Sequence, residues 1–386
     1  MKRLSSMTTL AAALLLASIV SAPAAAANAP GSGSPAIPGN PSTAAPVAVI
    51  FDTDMWSDID DAMALAMLHT LEDRHEIRLV AVTVSTDEPW CAPYVDLIDT
   101  FYGHPEIPVG MVHEGLDTAA FRKLFPTLTW PATRYTQRLS EATQGDGAFL
   151  YPHRLIDGKH APEAVGLLRE TLAAQPDGGV VVIGVGYSTN LARLLASTPD
   201  RHSPLAGRDL IRRKVRLLSV MAGNYAPVTM DGKVLPAGTS EFNIQSDVAA
   251  ARTVFADWPT PIVASGFEIG YGLLYPAASI EHDFSYVAHH PIADTYRRFA
   301  AERSPAHPWP HDHPTFDLTA VLYAARPDRR YFSLSKPGTI TVLDDGGTRF
   351  EESAGGQHRH LILTAHQKTR TLEALVMLVS EPPRQR

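Results

Sequence analysis

The sequence is poor in cysteine, which limits how the fold can be stabilised. Its 386 residues include a single cysteine, Cys91, so no disulfide bond can form within the chain. A chain of this length buries enough apolar surface to fold without such a crosslink. We therefore expect stability to come from hydrophobic packing, even in an oxidising compartment.

Basic charge is also scarce. Lysine and arginine total 33 against 41 aspartate and glutamate, which gives a net charge of -8 and a pI near 6.0. This balance disfavours nucleic acid and anionic membranes as partners, because both require a basic surface. Hydrophobic residues at 45% and charged residues at 19% are typical of a globular protein. We find no internal repeat and no linker after Pro46, so residues 47–386 are predicted to form one domain.

The N-terminus lacks an apolar run long enough to cross a membrane. Its run from Leu10 to Val20 follows Lys2 and Arg3 and leads into small residues ending at Ala27. This layout predicts a secretory signal peptide over residues 1–27, with a buried N-terminal helix as the alternative. Residues 28–46 are rich in Pro, Gly, Ser and Ala and are predicted to be a flexible linker. We expect a secreted or periplasmic protein with no membrane contact after cleavage.

Strand-like and helical segments alternate along the domain. The predicted strands are Val47–Phe51, Ile77–Ser85, Ile107–Val112, Gly179–Val185, Val215–Ala222, Pro261–Ser265, Thr339–Leu343, His360–Thr364 and Leu372–Leu378. The predicted helices are Ala62–Leu68, Pro93–Tyr102, Pro162–Ala174, Val248–Phe255 and most of His282–Arg303. Such alternation predicts an α/β fold, a mostly parallel, Rossmann-like open sheet flanked by helices. Residues 114–160 are irregular, and an insertion, a lid and plain surface all remain open.

Five aspartates crowd the end of the first strand and the start of the first helix. They are Asp52, Asp54, Asp58, Asp60 and Asp61, with no lysine or arginine between them. Carboxylates this close repel unless they are protonated, solvated or bound to a cation. The carboxyl ends of strands are also where open α/β sheets bind ligands. We predict a cation site, with oxygen ligands that suit Ca²⁺ or Mg²⁺ better than Zn²⁺.

Other interpretations explain part of this cluster. Asp58 stands where a helix N-cap is expected, with Asp60 and Asp61 in the first turn. A phosphatase of the Asp-x-Asp type is a weaker match, because Met55-Trp56 replaces the residues that usually follow. An EF-hand loop lacks its central glycine and final glutamate.

The stretch Asp52-Thr-Asp54 … Asp60-Asp61-Ala-x-Ala-Leu resembles the N-terminal signature of the inosine- and uridine-preferring nucleoside hydrolases. Asp54 and Asp60 lie six positions apart, two more than in the commonest form, so the stretch is similar to a divergent branch. Three later stretches resemble family motifs in the family's order. They are Gly186-Tyr-Ser-Thr-Asn-Leu191, Glu241-Phe-Asn243 before an alanine-rich helix, and Asp317 within Phe316-Asp-Leu-Thr-Ala-Val-Leu-Tyr323.

The resemblance implies a calcium-dependent hydrolase that cleaves the N-glycosidic bond of a ribonucleoside to free base and ribose. The roles it implies are Ca²⁺ ligands (Asp54, Asp61, Asp317 and the main-chain carbonyl of Val185), ribose contacts (Asp60, Glu241, Asn243 and Asp317) and an orienting residue (Asp52). Asp54 would also accept the proton of a metal-bound water.

Simpler structural roles remain open for several of these residues. Glu241 and Asn243 are also compatible with a helix cap that has a solvated side. Asn190 fits a structural turn residue better than a substrate contact, and Asp317 also fits a helix cap.

The sequence departs from the family where the leaving base is handled. Phe316 replaces a histidine that serves the leaving base in the better-known branch, and phenylalanine can stack but not donate a proton. His311 and His313 lie close by and are candidate acids, with solvated loop residues as the alternative. The remaining candidates are Asp87 and Lys233, which replace expected asparagines, and Trp56, Trp90, Tyr225 and Phe267, which would stack on a base or pack at the rim.

Two functions follow from this resemblance. The first is an exported N-ribosyl hydrolase acting on a small-molecule nucleoside in purine or pyrimidine salvage. The second is a secreted nucleoside- or ribose-binding protein that keeps the metal pocket but has lost catalysis, which Phe316 favours. Assembly into a homo-oligomer is left open.

Overall fold

The structure is a computed structural model, and it describes residues 46–56, 58–126, 134–230, 232–303 and 311–384. The predicted signal peptide and the linker up to residue 45 lie outside these residues, so both remain predictions. The described residues belong to one compact unit, in agreement with the single domain expected from the sequence.

The described residues form both strands and helices throughout. The strands are β1 (Val47–Thr53), β2 (Ile77–Thr86), β3 (Val109–Leu116), β4 (Val180–Gly184), β5 (Val215–Met221), β6 (Val228–Met230), β7 (Lys233–Leu235), β8 (Ile262–Ser265), β9 (Leu274–Tyr275), β10 (His313–Pro314), β11 (Ser333–Leu334), β12 (Gly338–Val342), β13 (Thr348–Glu352) and β14 (His358–Ile362). The helices are α1 (Asp60–Asp73), α2 (Cys91–Phe101), α3 (Thr118–Leu124), α4 (Tyr135–Ser140), α5 (Ala164–Ala174), α6 (Thr189–Ala196), α7 (Gly207–Lys214), α8 (Phe242–Ser246), α9 (Val248–Asp257), α10 (Phe267–Tyr271), α11 (Ala277–His282), α12 (Pro291–Arg303), α13 (Phe316–Ala325) and α14 (Ala365–Ser380). Short 3₁₀ turns occur at Gly158–His160 and Pro327–Arg329.

A large, mostly parallel sheet organises the fold. Its strands run in the order β13-β12-β14-β8-β5-β4-β1-β2-β3, with β11 paired to β14. All pairs from β3 across to β14 are parallel, and the pairs that β14 makes with β11 and β12, and β12 with β13, are antiparallel. This is the fold class expected from the alternating sequence pattern.

Helices cover both faces of the sheet, and β1 shows why. Val49 and Phe51 point into one apolar core, whereas Ala48 and Ile50 point into the other. A strand buried on both faces needs an unbroken apolar run, which the sequence supplies. The first core packs against α1, α2, α13 and α14, and the second against α5, α6, α7 and α9.

Helix α1 is buried along nearly its whole length. Twelve consecutive residues, from Asp60 to Leu71, are buried, so the helix has no solvated face. It packs on strand β2 of the sheet and against the neighbouring helices α13 and α14. A helix apolar on all sides is typical of such a central position. Among the described residues, no helix combines the length and apolar character that a membrane span requires.

Three segments differ from the sequence-based expectation. Leu372–Leu378 was predicted as a strand but lies within helix α14, whose buried residues Thr371, Leu375, Leu378 and Val379 follow helical spacing. Helix α5 begins at Ala164 with Glu163 as its cap, so Pro162 precedes the helix. Residues His282–Arg303 were predicted to be mainly helical, and the helix there, α12, begins only at Pro291, because residues 283–290 separate it from α11.

Candidate active site

The candidate site lies where the strand order of the sheet reverses. Strand β1 pairs with β2 on one side and with β4 on the other, so chain connections leave in opposite directions at this point. Asp54 follows β1 directly, and Val185 follows β4. The Val185 amide donates to the Asp52 carbonyl at 2.8 Å, which joins the two strand ends. Crevices of this kind are the usual ligand sites of open α/β sheets.

Gly186 permits the close approach of these two strand ends. A Cβ atom at this position would lie 2.3 Å from the Asp54 nitrogen and 2.6 Å from the Ser85 Oγ. No side chain fits there without moving the backbone that carries Asp54.

Asp52 supports the site from behind. It is buried, its Oδ1 accepts hydrogen bonds from Thr83 Oγ1 at 2.5 Å and Asn190 Nδ2 at 2.8 Å, and it does not line the cavity. The Asn190 amide also donates to the Val84 carbonyl at 3.1 Å. Burial raises the pKa of Asp52 to about 7, although both hydrogen bonds oppose the shift.

Three carboxylates converge in front of the strand ends. Asp60 and Asp61 lie in the first turn of α1 and Asp317 in the first turn of α13, and one oxygen from each lies within 4.8 Å of the others. The Thr53 hydroxyl donates to Asp61, and the Asp317 amide donates to Asp60 Oδ2 at 3.0 Å. These contacts fix residues 257 positions apart in the chain.

The cluster is electrostatically strained as it stands. Burial, followed by repulsion from neighbouring carboxylates, raises the pKa of Asp60, Asp61 and Asp317 well above the usual range for aspartate. The strongest repulsion on Asp61 comes from Asp54. A divalent cation among these oxygens would neutralise the repulsion and keep all of the groups ionised.

A cavity of about 250 Å³ joins these groups to a second set of side chains. Its described lining residues are Asp54, Asp58, Asp60, Asp61, Val185, Met221, Met230, Glu241, Phe242, Asn243, Phe267, Tyr271, His313, Pro314, Phe316 and Asp317. They include no lysine or arginine, and they bring together the metal and substrate residues that the sequence predicted.

Glu241 and Asn243 form one polar wall of the cavity. Glu241 caps α8, and its carboxylate accepts amides of Gly223, Asn243 and Ile244 at 2.8–3.3 Å. Asn243 Nδ2 donates to the Val185 carbonyl at 2.7 Å. Glu241 and Asn243 are both buried, so a cap with a solvated side does not describe them. Burial raises the pKa of Glu241 to about 7.

An aromatic wall faces the polar groups. Phe267 stacks on Phe316 with ring centres 5.1 Å apart and on Tyr271 at 5.5 Å. Tyr271, which sequence reasoning missed, follows β8, and the carboxyl end of that strand lies at the same edge of the sheet as β4 and β1. Phe242 also lines the cavity and packs on Phe125, just after α3. The segment from residue 114 therefore backs the cavity through its described part.

His313 and Asp58 form a pair at the cavity edge. His313 Nε2 lies 2.6 Å from Asp58 Oδ1, and both residues line the cavity. The prediction that Asp58 caps α1 is wrong, because Ile59 occupies the cap position and the Asp58 carboxylate contacts His313 and the Ile59 amide instead. A contact over 255 positions is not visible in a local sequence pattern.

The structure places the other candidates outside the cavity lining. Trp56 is buried against Phe121 at 5.3 Å, Asp87 accepts the Gly115 amide at 3.1 Å, and Trp90 occupies the N-cap position of α2. The His311 carbonyl accepts from Tyr296, Lys233 is exposed on β7, and the half-buried Tyr225 stacks on His360. The described lining residues include none of these six.

Comparison with known proteins agrees with this arrangement. A family model described as inosine-uridine preferring nucleoside hydrolase matches residues 49–375. The chain belongs to this nucleoside hydrolase family. Curated relatives include the pyrimidine-specific ribonucleoside hydrolase RihA of Salmonella typhi, 33% identical over 138 residues. That match covers 33% of this chain and 38% of the relative. The RihA of Salmonella enteritidis PT4 is 35% identical over 121 residues, covering 31% of this chain and 32% of the relative.

Solved structures of the family share the fold over most of the chain. An inosine-uridine preferring nucleoside hydrolase from Bacillus anthracis has a TM-score of 0.59 at 15% identity, covering 86% of this chain and 99% of that one. A purine-preferring ribonucleoside hydrolase from Gardnerella vaginalis has a TM-score of 0.59 at 16% identity, covering 86% and 98%. A plant nucleoside hydrolase has a TM-score of 0.59 at 19% identity, covering 87% and 100%. These likenesses place the fold within the family.

Proposed function

We propose that this protein is a calcium-dependent hydrolase that cleaves the N-glycosidic bond of a ribonucleoside and releases free base and ribose. The observation that carries the proposal is one cavity that combines Asp54, Asp60, Asp61 and Asp317 with a polar wall and an aromatic wall. A nucleoside has matching parts, namely a ribose rich in hydroxyl groups and a flat aromatic base. Family membership over residues 49–375 supports the same reaction.

The donor atoms of the cavity suit Ca²⁺. Asp54, Asp61, Asp317 and the Val185 carbonyl are the proposed ligands, and all of them present oxygen. Hard oxygen donors select Ca²⁺ or Mg²⁺, and a flexible set of carboxylates and a carbonyl favours Ca²⁺. Asn243 holds the Val185 carbonyl in place, and Thr53 holds Asp61. When bound, the ion would lower the pKa of a coordinated water and offset the carboxylate repulsion.

The chain's own residues would then position the attack. Asp54 would take a proton from the water whose oxygen bonds to C1′ of the ribose, while the bond from C1′ to the base nitrogen breaks. Asp60, Glu241, Asn243 and Asp317 would hold the ribose hydroxyls. The negative potential of these carboxylates stabilises the positive charge that develops on the sugar ring as the bond breaks.

His313 is the proposed proton donor to the leaving base. Phe316 cannot serve, but its ring and that of Phe267 form a surface on which a base can stack. Asp58, 2.6 Å from His313 Nε2, would orient the imidazole. His313 would then deliver a proton to the base as the glycosidic bond breaks.

A panel of purine and pyrimidine ribonucleosides tests the reaction. The purified protein with Ca²⁺ is expected to release free base and reducing sugar from at least one member, and the matching 2′-deoxynucleoside should be cleaved far more slowly because it lacks one hydroxyl. Tight calorimetric binding of an intact ribonucleoside without release of base would instead indicate a binding protein. No turnover and no binding across the panel would refute the proposed substrate class.

Export rests on the pattern of residues 1–27, and we propose that the mature protein acts outside the cytoplasm. Fractionation of cells that express the full chain, followed by N-terminal sequencing, tests this. We expect the protein in the periplasm or medium with a new N-terminus near Ala27. Full-length protein in the cytoplasm would contradict export.

A further inference from the structure

Helix α1 carries a second polar cluster at the end opposite the acidic cavity. His69, Glu72 and Asp73 lie three and four positions apart and share one side of the helix. Asp99 of α2 and His104 lie against that side. The spacing from Asp60 to His69 corresponds to roughly 13 Å along the helix axis. The two clusters are therefore separate sites on one helix.

The second cluster has the geometry of a metal site. One ring nitrogen each of His69 and His104 and one carboxylate oxygen of Glu72 lie within 4.8 Å of one another. Both histidines are buried, whereas the Glu72 side chain is 16% exposed. Ligands around a tetrahedral Zn²⁺ stand roughly 3.3 Å apart at bond lengths of about 2.0–2.2 Å. Binding of an ion would draw these atoms closer together than they now lie, and the partly exposed Glu72 gives an ion a route to the site.

A carboxylate lies near the Nε2 atom of each imidazole ring. Asp99 Oδ1 lies 2.7 Å from His69 Nε2, and Asp73 Oδ1 lies 3.5 Å from His104 Nε2. With both Nε2 atoms directed at carboxylates, the atom that each ring offers to a metal is Nδ1. His104 Nδ1 lies 3.6 Å from Glu72 Oε2. Proteins commonly orient metal-binding histidines by such a carboxylate, which also makes the imidazole a stronger ligand.

Asp99 supplies an independent observation. It is completely buried, and its Oδ2 has no hydrogen-bond partner among the residues that the structure describes. A buried carboxylate is stabilised when positive charge lies nearby. A cation bound to His69 would supply that charge through the imidazole that Asp99 already contacts.

We propose that His69, Glu72 and His104 bind one Zn²⁺ ion, or a similar transition-metal ion, at a site separate from the acidic cavity. Two imidazole nitrogens and one carboxylate oxygen are ligands that zinc prefers and calcium does not. The ion would link the C-terminal end of α1 to the segment that follows α2. Its role is therefore to stabilise the fold, and the proposal is independent of the hydrolase reaction.

Zinc titration of the full protein tests the site. The protein is stripped with a chelator, transferred to buffer with saturating Ca²⁺ to fill the acidic cavity, and titrated with Zn²⁺ by calorimetry. We expect one equivalent of zinc to remain after dialysis and to raise the unfolding temperature. His104→Gln, which removes a ligand, should weaken zinc binding at least 100-fold. Asp99→Asn should weaken it about 10- to 100-fold, because a supporting carboxylate is lost.

Two variants are matched controls. His75→Asn removes an exposed neighbouring histidine at a positive φ of 58°, which asparagine tolerates, and should leave zinc binding unchanged. Asp61→Asn alters the acidic cavity and should also retain zinc. The proposal fails if the wild type takes up no zinc, if His104→Gln binds it as the wild type does, or if Asp61→Asn abolishes binding. Should His104→Gln not fold, Glu72→Gln replaces it, since this side chain is partly exposed, and the same loss of affinity is expected.

Discussion

The two ends of α1 solve the problem of buried charge in different ways. At the N-terminal end, Asp60 and Asp61 meet Asp54 and Asp317, and burial together with repulsion from neighbouring carboxylates raises the pKa of Asp60, Asp61 and Asp317. At the C-terminal end, carboxylates face imidazoles, as in the pair of His69 and Asp99 at 2.7 Å. The first end is a set of like charges, whereas the second mixes donors and acceptors.

This difference in charge indicates which kind of metal ion each end of α1 would bind. Like charges held together by the fold require a cation to remain ionised, so the acidic end suits a hard cation that binds oxygen, such as the proposed Ca²⁺. The histidine end is internally paired, so it gains from a metal only if the ion outcompetes those contacts. Because the ligand types differ, each end is expected to select its own metal.

The largest expected effect comes from Asp61→Asn at the acidic end. Loss of one carboxylate should abolish calcium binding and lower kcat/KM by at least about 10³-fold, because the metal and the substrate share the cavity. In chelator, however, the unfolding temperature should rise, since repulsion from Asp54 is removed. Activity assays and thermal unfolding with and without Ca²⁺ measure both effects. A variant that is less stable than the wild type in chelator would contradict the proposed strain.

His313→Gln addresses the leaving group at the same end. Glutamine keeps a polar side chain beside Asp58 but cannot serve as an acid near neutral pH, so kcat should fall about 10²-fold. A nucleoside analogue with a leaving group that needs no protonation, such as p-nitrophenyl riboside, should lose much less activity. Equal losses on both substrates would show that His313 has only a structural role.

Gly186→Ala tests the strand ends that carry Asp54. The added Cβ would lie 2.3 Å from the Asp54 nitrogen, so the backbone must shift. We expect a loss of about 10²-fold in kcat and about 1–3 kcal/mol in the free energy of unfolding. Gly166→Ala is the matched control, because its Cβ in α5 meets nothing within 4 Å. Zinc binding should be unchanged in both variants, and equal activities would contradict the steric argument.

The smallest expected effect concerns His290, which is buried without a carboxylate contact among the described residues. Burial, with a smaller contribution from Arg297, lowers its pKa to about 3. Since the folded pKa lies below the unfolded value of about 6.5, the neutral form is favoured in the native state, and stability is lost as pH falls below 6.5. The loss at pH 5 is about 2 kcal/mol. The Ile292 amide donates to His290 Nδ1, and His290→Asn retains an acceptor there.

Denaturant unfolding of both proteins at pH 7 and pH 5 measures this loss. The stability of the wild type relative to His290→Asn should fall on acidification by about that amount. A difference that does not change with pH would show that His290 is not held neutral.

The sequence predicted the parallel sheet and the acidic cluster because short, local residue patterns indicate both. Apolar runs mark β1 and β4, and the aspartates follow β1 directly. The pairing of His313 with Asp58 joins residues 255 positions apart and has no local signal. Neither does the approach of His104 to α1, which depends on how α2 packs. Contacts of this kind depend on tertiary packing.

The wrong prediction of a strand at Leu372–Leu378 could have been avoided from the sequence. Its apolar residues were interpreted as a strand, yet Thr364 and Gln367 form a capping box that begins α14. The buried positions Thr371 and Leu375 are four residues apart, which is helical spacing. A helix start signal upstream should therefore outweigh a short apolar run.

The contact between Asp60 and Asp317 also sets when activity can begin. At a translation rate of about 5–20 residues per second, the 257 residues between them take roughly 10–50 s to synthesise. Strand β14, which pairs with β8 inside the sheet, appears later still. A growing chain therefore carries half of the proposed calcium site with nothing to complete it, and the proposed hydrolysis can start only after Asp317 and β14 have been made.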